Sequence, residues 1–481
     1  MIENTPDKNL VRGVSLPGAV SLNMIDMIGV GPFITIPLII SAMGGPQAMI
    51  GWVLGAFLAM CDGLVWAELG AAMPKAGGSY QYLKEIYGKK RFGRLVPFLF
   101  IFQLSFSAPL SIASGCVGLA MYASYIFPFL NRTLFNLDLN IPIPLLDSLE
   151  ANLSIGYSAL AAVVICLLAV FLLYRRINII NKIAQYLWVG VIITVVWIII
   201  SGIAHFDSKL AFDFPPGAFN FTTGFFLGLG SAMLISIYDY WGYYNICFIG
   251  GEIENPGKNI PKAIIISIVL VGLMYIVMNT SILGVLPWRE ISESSGSDAH
   301  KYIVSVFMQK IYGNWAGYLV SILIMWTAFA SVFSLLLGYS RVPYAASVQG
   351  DYFKVFSKVH PEKNFPHISL LVMGFVACAF CFLKLKDIIA ALVVIRIIIQ
   401  FLAQTVGVII YRIQRKDVVR PFKMWLYPLP AVLSFIGFVY VLFSRPNFLK
   451  EINYAGFIIL IGTIIFVWRK YKKSPIAESN Q

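Results

Sequence analysis

Apolar runs of roughly 20 residues recur along this chain, about twelve in all, and each is long enough to cross a bilayer as a helix. Hydrophobic residues make up 59% of the 481 residues and charged residues only 12%, as in chains that lie mostly in lipid. The runs are predicted near residues 15–42, 46–73, 95–128, 156–174, 179–204, 222–249, 262–287, 315–340, 368–384, 387–411, 427–444 and 454–468. The sequence therefore predicts an all-α integral membrane protein, with residues 1–481 in a single membrane domain.

The first run contains an interruption that a simple membrane anchor does not need. The segment from Asn23 to Phe33 has the sequence NMIDMIGVGPF, in which the acid Asp26 is followed by a Gly-Val-Gly-Pro break. A charge and unpaired backbone groups are tolerated in the hydrocarbon core only where they face protein or a water-filled cavity. The first span is therefore expected to line a polar site of the kind that binds a solute.

The sixth run has a similar interruption, at Tyr238-Asp-Tyr-Trp-Gly242, where an acid and a glycine again break an apolar stretch. The two interrupted runs are five spans apart. This spacing is expected if residues 13–204 and 222–412 are inverted repeats of five spans each, followed by two further spans over 427–469. The binding site would then lie between the two broken helices.

The net charge of +13 is distributed unevenly between alternate loops. With the N-terminus in the cytoplasm, roughly 26 of the 36 Lys and Arg residues fall in cytoplasmic segments and about nine in the opposite loops. This positive-inside bias predicts a multi-pass protein of the cell membrane with both termini cytoplasmic. It also explains the basic charge without a nucleic-acid partner, so the expected partners are the lipid bilayer and a small molecule.

The chemistry-bearing residues exclude several other classes of protein. All six cysteines lie in apolar runs and all four histidines lie in loops. The pair Cys378-x-x-Cys381 has no neighbouring histidine and no second cysteine pair along the chain, so neither a metal nor another cofactor is predicted. An enzyme would need a nucleophile, base or metal set converging within the spans, and a channel would need a repeated filter. Neither pattern is present.

Five motifs lie in order along the chain and point to one family. They are MIGVGPF at 27–33, WAELGAAMPKAGGSYQYL at 66–83, GGEIENPGKNIPKAI at 250–264, SRVPYAASVQG at 340–350 with the His-Pro and Pro-His pairs that follow it, and RPFK at 420–423. They resemble the amino acid, polyamine and organocation transporter family over nearly the whole chain, with Val30 and Pro32 as departures from its first motif. The resemblance implies a secondary carrier of amino acids or polyamines that works by alternating access. Its fold would have twelve helices, ten of them in a LeuT-like inverted-repeat core.

The resemblance also implies where the substrate binds. Its carboxylate would contact the backbone amides of Val30 and Gly31, and its amino group would contact carbonyl groups near Met27, Tyr238 and Trp241. Tyr238 matches the position of the aromatic gate of the family. The complete predicted substrate site is Asp26, Met27, Gly29, Val30, Gly31, Tyr238, Asp239, Tyr240, Trp241 and Gly242.

Three acids, Asp26, Asp62 and Asp239, lie inside predicted spans. An unpaired carboxylate is costly there, so each acid is expected to contact the substrate or a coupling proton. The alternative for Asp26 and Asp239 is a structural ion pair with Arg396, which also lies deep in a span. An acid at Asp26 would suit a cationic side chain or a polyamine, and a neutral amino acid remains an alternative.

Further residues are candidates for gating or ion coupling. Glu68, Glu252, Arg341 and Arg420 are expected to form a charge network at the inner mouth, and Ser331 and Ser334 offer oxygens to a sodium ion or simply pack helices. No ATP-binding loop is present, which favours transport driven by a gradient or by exchange. Many relatives carry a lysine in the fifth span, where this chain has GVII at 190–193.

The absence of that lysine removes the usual argument for a lysine-based coupling step. Proton coupling through a buried aspartate is therefore favoured over sodium coupling. Ion-independent exchange, and a non-transporting nutrient receptor of the same fold, are the alternatives.

Overall fold

The computed structural model describes residues 10–88, 93–141, 149–292, 301–384 and 386–473. Seven helices in these ranges are long and apolar enough to cross a membrane: Pro46–Ala72, Leu95–Ile126, Ile177–Ala204, Pro256–Leu283, Asn314–Val348, Ile389–Gln414 and Phe448–Trp468. Four shorter apolar helices are Tyr157–Leu173, Ile303–Tyr312, His367–Phe380 and Leu429–Phe443. The predicted helical, membrane-spanning class is confirmed. The two terminal segments, for which a cytoplasmic position was predicted, lie outside the described residues.

The described part of the first half of the chain contains eight α-helices. They are α1 (Leu16–Met27), α2 (Ile36–Met43), α3 (Met49–Ala72), α4 (Ser79–Tyr87), α5 (Leu95–Ile126), α6 (Tyr157–Leu173), α7 (Ile177–Ala204) and α8 (Ser208–Ala211). The second half continues with α9 (Thr223–Tyr240), α10 (Asn245–Phe248), α11 (Pro256–Leu283), α12 (Trp288–Ile291), α13 (Ile303–Tyr312), α14 (Asn314–Val348), α15 (His367–Phe380), α16 (Lys386–Arg396), α17 (Ala403–Gln414), α18 (Leu429–Phe443) and α19 (Phe448–Lys473). A π-helical segment, Ile397–Leu402, joins α16 to α17.

Both predicted interruptions are present as breaks in the helices. In the first, α1 ends at Met27, a 3-10 turn covers Gly31–Phe33, and α2 begins at Ile36. In the second, α9 ends at Tyr240 and Gly242 has a φ of 122°, a conformation that side chains disfavour. The second break is longer than predicted, because only the four-residue α10 and a 3-10 turn precede α11.

One element departs from the all-α prediction. Strands β1 (Thr133–Ile141) and β2 (Leu149–Gly156) form an antiparallel hairpin between α5 and α6. The two-residue strand β3 (Leu383–Lys384), just before α16, pairs with β2. Polar and apolar residues alternate in the sequence LFNLDLN within β1, which is a strand pattern. The stretch lies between the predicted spans 95–128 and 156–174, where only a loop is expected. The fold is therefore mostly helical with one small sheet.

The broken helices lie at the centre of the helix assembly. Helix α1 contacts α7, α11 and α14, while α3 lies against both α9 and α11. Small residues let α3 and α9 approach closely, because a Cβ atom at Gly55 would lie 2.2 Å from the Ser236 hydroxyl. This packing brings the ends of α1 and α9 next to each other and next to α5, α14 and α16.

Candidate functional site

The two breaks face one cavity of about 170 Å³. Nine of the ten residues predicted for the substrate site line it: Asp26, Met27, Gly29, Val30, Gly31, Tyr238, Asp239, Trp241 and Gly242. The tenth, Tyr240, lies outside the cavity, where its hydroxyl donates to the backbone oxygen of Trp52 at 3.3 Å. The lining also includes residues that were not predicted for it: Pro32, Ile34, Thr35, Ser111, Ser114, Gly115, Tyr244, Ala328, Ser331, Leu335, Tyr339 and Arg396.

The first break supplies unused backbone donors to this cavity. Among the described residues, the amides of Val30 and Gly31 donate to no backbone acceptor. Two adjacent free amides form a concave site that suits an anionic group. A Cβ atom at Gly31 would lie 2.3 Å from a carboxylate oxygen of Asp239, so glycine is needed there for the two breaks to approach.

Two hydroxyl groups connect the breaks. Thr35, just before α2, donates to the carboxylate of Asp239 at 2.5 Å. Tyr275 of α11 donates to the backbone oxygen of Met27 at 2.7 Å and lies 3.5 Å from the backbone oxygen of Asp239. Tyr275 was not predicted, because a tyrosine within an apolar run carries no signal of its own. Together these bonds hold the ends of α1 and α9 in a fixed relation.

Arg396 forms the far wall of the cavity at the end of α16, immediately before the π-helical segment. Its side chain donates to the hydroxyl of Ser107 at 3.2 Å, and its guanidinium lies 5.4 Å from the ring centre of Trp241 and 5.8 Å from that of Tyr339. Within the described residues it makes no ion pair with Asp26 or Asp239, and its Nε has no acceptor. The structural ion pair considered above is therefore absent.

Asp26 faces the same cavity from α1. In the described part of the chain its carboxylate forms no ion pair and accepts no hydrogen bond, although its backbone oxygen accepts one from Ser331 at 3.2 Å. The residue is only 8% exposed. In the described part of the chain, the cavity thus presents a carboxyl group and a guanidinium that are not within ion-pair distance of each other.

The aromatic residues of the second break form part of the wall. The Tyr238 and Trp241 rings lie 5.3 Å apart, and Trp241 stacks on Phe401 at 5.0 Å. Tyr238 is 41% exposed, so it faces open space in the cavity. A second, smaller cavity of about 40 Å³ lies beside Arg396 and is also lined by Tyr238.

Amide side chains next to each break position the site, and sequence reasoning missed them. Asn23 donates to the backbone oxygen of Tyr243 at 2.7 Å and accepts from the amide of Ile246 at 3.1 Å. Asn245 donates to the backbone and hydroxyl oxygens of Ser334. A polar amide inside an apolar run beside a helix break is the signal that could have identified both residues.

The two serines of α14 hydrogen-bond with α1. Ser334 donates to the backbone oxygen of Leu22 at 2.8 Å, and Ser331 donates to that of Asp26. These contacts correspond to the helix-packing alternative. The role in sodium binding stays a prediction.

Two ion-pair clusters lie at the end of the molecule opposite β1 and β2. Arg341 donates to both carboxylate oxygens of Glu252 at 2.9 and 3.1 Å, and both side chains are fully buried. The backbone oxygen of Glu252 also accepts from the amides of Gly13 and Val14. This pair joins the loop after the second break, helix α14 and the segment that leads into α1.

The second cluster is centred on Glu68 at the end of α3. Arg412 of α17 binds its carboxylate through two nitrogens, and Arg420 lies 3.7 Å from it. The four residues predicted as one network are therefore divided between two clusters. Arg412 was missed, since only the packing of α17 on α3 shows that it reaches Glu68.

Cysteines from three helices also come together away from the cavity. Cys166 of α6 contacts Cys116 of α5 and Cys378 of α15, and Cys116 contacts Cys381. All are free thiols. Within the described ranges, no group of three or more His, Cys, Asp or Glu side chains is arranged to hold a metal ion.

A helical membrane protein whose polar cavity lies between two interrupted helices belongs to the class of solute transporters. The family model described as "Amino acid permease" matches residues 14–467, and the chain belongs to this family. It is a multi-pass membrane protein and a secondary transporter of amino acids, not an enzyme. The function and family predicted from the motifs are confirmed.

Characterised relatives are similar over most of their length. The serine/threonine exchanger SteT of Bacillus subtilis (strain 168) is 27% identical over 95% of this chain and 96% of its own. The branched-chain amino acid permease BcaP of the same organism is 24% identical over 98% of this chain and 96% of its own. The aspartate-proton symporter, also of that organism, is 25% identical over 84% of this chain and 74% of its own.

Proposed function

We propose that this permease binds a zwitterionic amino acid in the cavity between the two breaks and moves it across the cell membrane by alternating access. The observation that carries the proposal is the composition of the cavity. Within the described residues, two amides without a backbone acceptor and two side chains without an ion pair, a carboxyl group and a guanidinium, face one space of about 170 Å³. This volume is below the roughly 300–1,000 Å³ of drug-sized sites, as expected for a ligand the size of an amino acid.

The two charged ends of the substrate have different partners in this proposal. The α-carboxylate binds the amides of Val30 and Gly31, which donate to no backbone acceptor among the described residues and can make charge-assisted hydrogen bonds. The α-ammonium group lies on the side of Asp26 and the carbonyl groups at the ends of α1 and α9. The backbone oxygen of Met27 already accepts a hydrogen bond from Tyr275, which fixes its direction.

The side chain of the substrate then points toward Arg396. A guanidinium that lacks an ion pair favours an oxygen acceptor, so the preferred substrates carry a hydroxyl or carboxylate group. A polyamine has no carboxylate for the free amides and would bring further positive charge next to Arg396. We therefore favour amino acids over polyamines, and the names of the serine/threonine exchanger and the aspartate-proton symporter are in keeping with this choice.

The arrangement around the cavity supports an outward-open state. Ser114 and Tyr238 are the exposed residues of its lining, and Ile389 is the exposed residue of the smaller cavity beside it. All three lie on spans that are connected at one end to a loop predicted to lie outside the cell. The buried Glu252–Arg341 pair closes the opposite end. Alternating access would open that end within a LeuT-like core of residues 13–204 and 222–412, with both termini cytoplasmic. We favour a proton over sodium as the coupling ion, because Asp26, Asp62 and Asp239 form no ion pair within the described residues.

Ligand-dependent thermal stabilisation of the purified protein tests the proposed substrate. Serine and aspartate are expected to raise the melting temperature more than alanine, because their side chains can bind Arg396 and alanine cannot. A ligand at 100 times its Kd stabilises the folded protein by about 2.7 kcal/mol. Arg396→Met should remove most of the difference between serine and alanine, and Asp26→Asn should weaken the effect of all three. Tyr240→Phe is the control, because Tyr240 lies outside the cavity and should leave every shift in place.

Other outcomes would contradict specific parts of the proposal. Stabilisation by spermidine or lysine alone would assign Asp26 to a cationic substrate and exclude the role given to Arg396. Equal responses of Arg396→Met and the unmodified protein to serine would show that the side chain does not contact Arg396. Binding without any uptake or exchange in proteoliposomes would favour a receptor.

A further inference from the structure

Asp62 is a buried acid that the substrate cavity does not use. It lies in the middle of α3, is 1% exposed, and is not part of the cavity lining. Its carboxylate accepts a hydrogen bond from the hydroxyl of Tyr243 at 2.6 Å and another from Ser434 at 3.3 Å. The first donor belongs to the second break and the other to α18. The indole of Trp66 and the hydroxyl of Thr405 lie beside the same carboxylate.

In the described part of the chain, no cation lies within ion-pair distance of Asp62. The nearest ion pair on α3 is that of Glu68, six residues and thus about 9 Å further along the helix, where Arg412 and Arg420 are already engaged. The titratable groups close to Asp62 are Cys61 on its own helix and Tyr243 and Tyr244 in the second break. These groups are neutral over the physiological range. Helices α9, α11, α17 and α18, which also pack on α3, direct no charged described side chain at it.

This environment suits a group that alternates between two protonation states. An uncompensated carboxylate in the hydrocarbon core is costly, which favours proton uptake, whereas donation from two hydroxyl groups stabilises the anion. Among the described residues, Asp26 and Asp239 also have no cation within ion-pair distance, but both face the cavity and would contact the substrate directly. Asp62 alone among the three can exchange a proton without competing with the substrate for space.

We infer that Asp62 is the proton-binding residue that couples substrate transport to a proton gradient. This inference rests on the proposed transport function and specifies its coupling site. In this proposal the buried carboxylate takes up one proton that originates from water on the outer side, and it releases that proton toward the inner side after the conformational change. No other bond is made or broken.

The hydrogen bonds of Tyr243 give a route from Asp62 to the substrate. The backbone oxygen of Tyr243 accepts from Asn23 of α1, and the next residue, Tyr244, lines the cavity. Protonation of Asp62 changes the group that the Tyr243 hydroxyl contacts. The second break and α1 can therefore respond together to protonation, because Asn23 of α1 forms hydrogen bonds with the second break.

Purified protein in proteoliposomes tests the inference with a radiolabelled mixture of the standard amino acids. Two activities are compared, uptake driven by an imposed inward proton gradient and exchange against the same amino acids inside without a gradient. Asp62→Asn, which resembles the protonated acid in shape, should lower gradient-driven uptake at least tenfold and exchange by less than threefold. It should also abolish the acidification of the lumen that accompanies uptake. Cys61→Ala, a neighbouring change that leaves the carboxylate in place, should retain both activities.

Two results would contradict the role of Asp62, and a third would contradict the transport function. Gradient-driven uptake and lumen acidification that persist in Asp62→Asn would overturn the inference, as would an unmodified protein that exchanges amino acids but ignores the gradient. In either case the proposed binding and transport of an amino acid would stand, whereas a protein that ignores the gradient would also remove the preference for a proton as the coupling ion. An unmodified protein without uptake or exchange would instead refute the proposed function itself.

A second variant covers the case in which Asp62→Asn does not fold. Tyr243→Phe removes one of the two hydroxyl donors but keeps the ring and the carboxylate. It should move the pH profile of gradient-driven uptake toward higher pH by at least half a unit, because the anion is less well stabilised. A profile identical to that of the unmodified protein would overturn the assignment.

Discussion

Arg341→Gln is expected to destabilise the protein by about 3–5 kcal/mol, because removal of one partner leaves the Glu252 carboxylate buried without its cation. Both side chains are fully buried and joined by two hydrogen bonds, so no solvent is available to replace the guanidinium. The measurement is the free energy of unfolding or the melting temperature of the purified protein. The double change Glu252→Gln with Arg341→Met should recover part of the loss, since no unpaired charge remains.

Arg289→Gln is the matched control for this experiment. Arg289 pairs with Asp213 near the opposite end of the molecule, but its side chain is 58% exposed. An exposed pair contributes about 1 kcal/mol or less, so this change should hardly alter the melting temperature. Equal melting temperatures for Arg341→Gln and the unmodified protein would show that the buried pair does not stabilise the folded protein.

Gly242→Ala is expected to reduce transport at least tenfold. Gly242 has a φ of 122°, and a Cβ atom there would lie 2.8 Å from the backbone nitrogen of Met27. That contact is with the backbone of the first break, which cannot move aside as a flexible side chain would. The breaks must then separate, which displaces the free amides from the cavity. The measurements are amino acid exchange in proteoliposomes, normalised to reconstituted protein, and ligand-dependent thermal stabilisation.

Gly313→Ala is the control for Gly242→Ala, because it introduces backbone strain without a close contact between the two breaks. Gly313 also has a positive φ, of 89°, but no atom of the described residues lies within 4 Å of the position that a Cβ atom would take. This variant should lose some stability through backbone strain and still exchange amino acids. If Gly242→Ala exchanges at more than half the rate of Gly313→Ala, then close approach of the two breaks is not required for transport.

The helices and their breaks were predictable because their causes are local. A run that crosses lipid must be long and apolar, and the breaks at Gly29 and Gly242 combine glycine with a nearby acid, a pattern that stands out within such a run. The position of the cavity was predictable from these breaks, because the site was expected between the two broken helices. Nine of the ten predicted residues line it, and Tyr240 was misplaced because it points toward α3 instead.

The partners of the charged residues were not predictable, since they depend on how helices rotate against one another. Arg396 was considered as a partner for Asp26 or Asp239 but contacts Ser107 and two aromatic rings. Glu68 binds Arg412, which lies 344 residues further along the chain. A pattern within one span gives the depth of a residue but not the direction in which its side chain points.

The small sheet creates a mechanical connection that the helices alone do not have. Strand β2 leads into α6, whereas its neighbour β3 leads directly into α16, which ends at Arg396. Any tilt of α16 that moves Arg396 toward or away from the cavity must therefore either move the hairpin as well or break the hydrogen bonds between the hairpin and β3. An antibody fragment that clamps the hairpin would restrain the movement of Arg396, and with it the proposed choice of substrate, without entering the cavity.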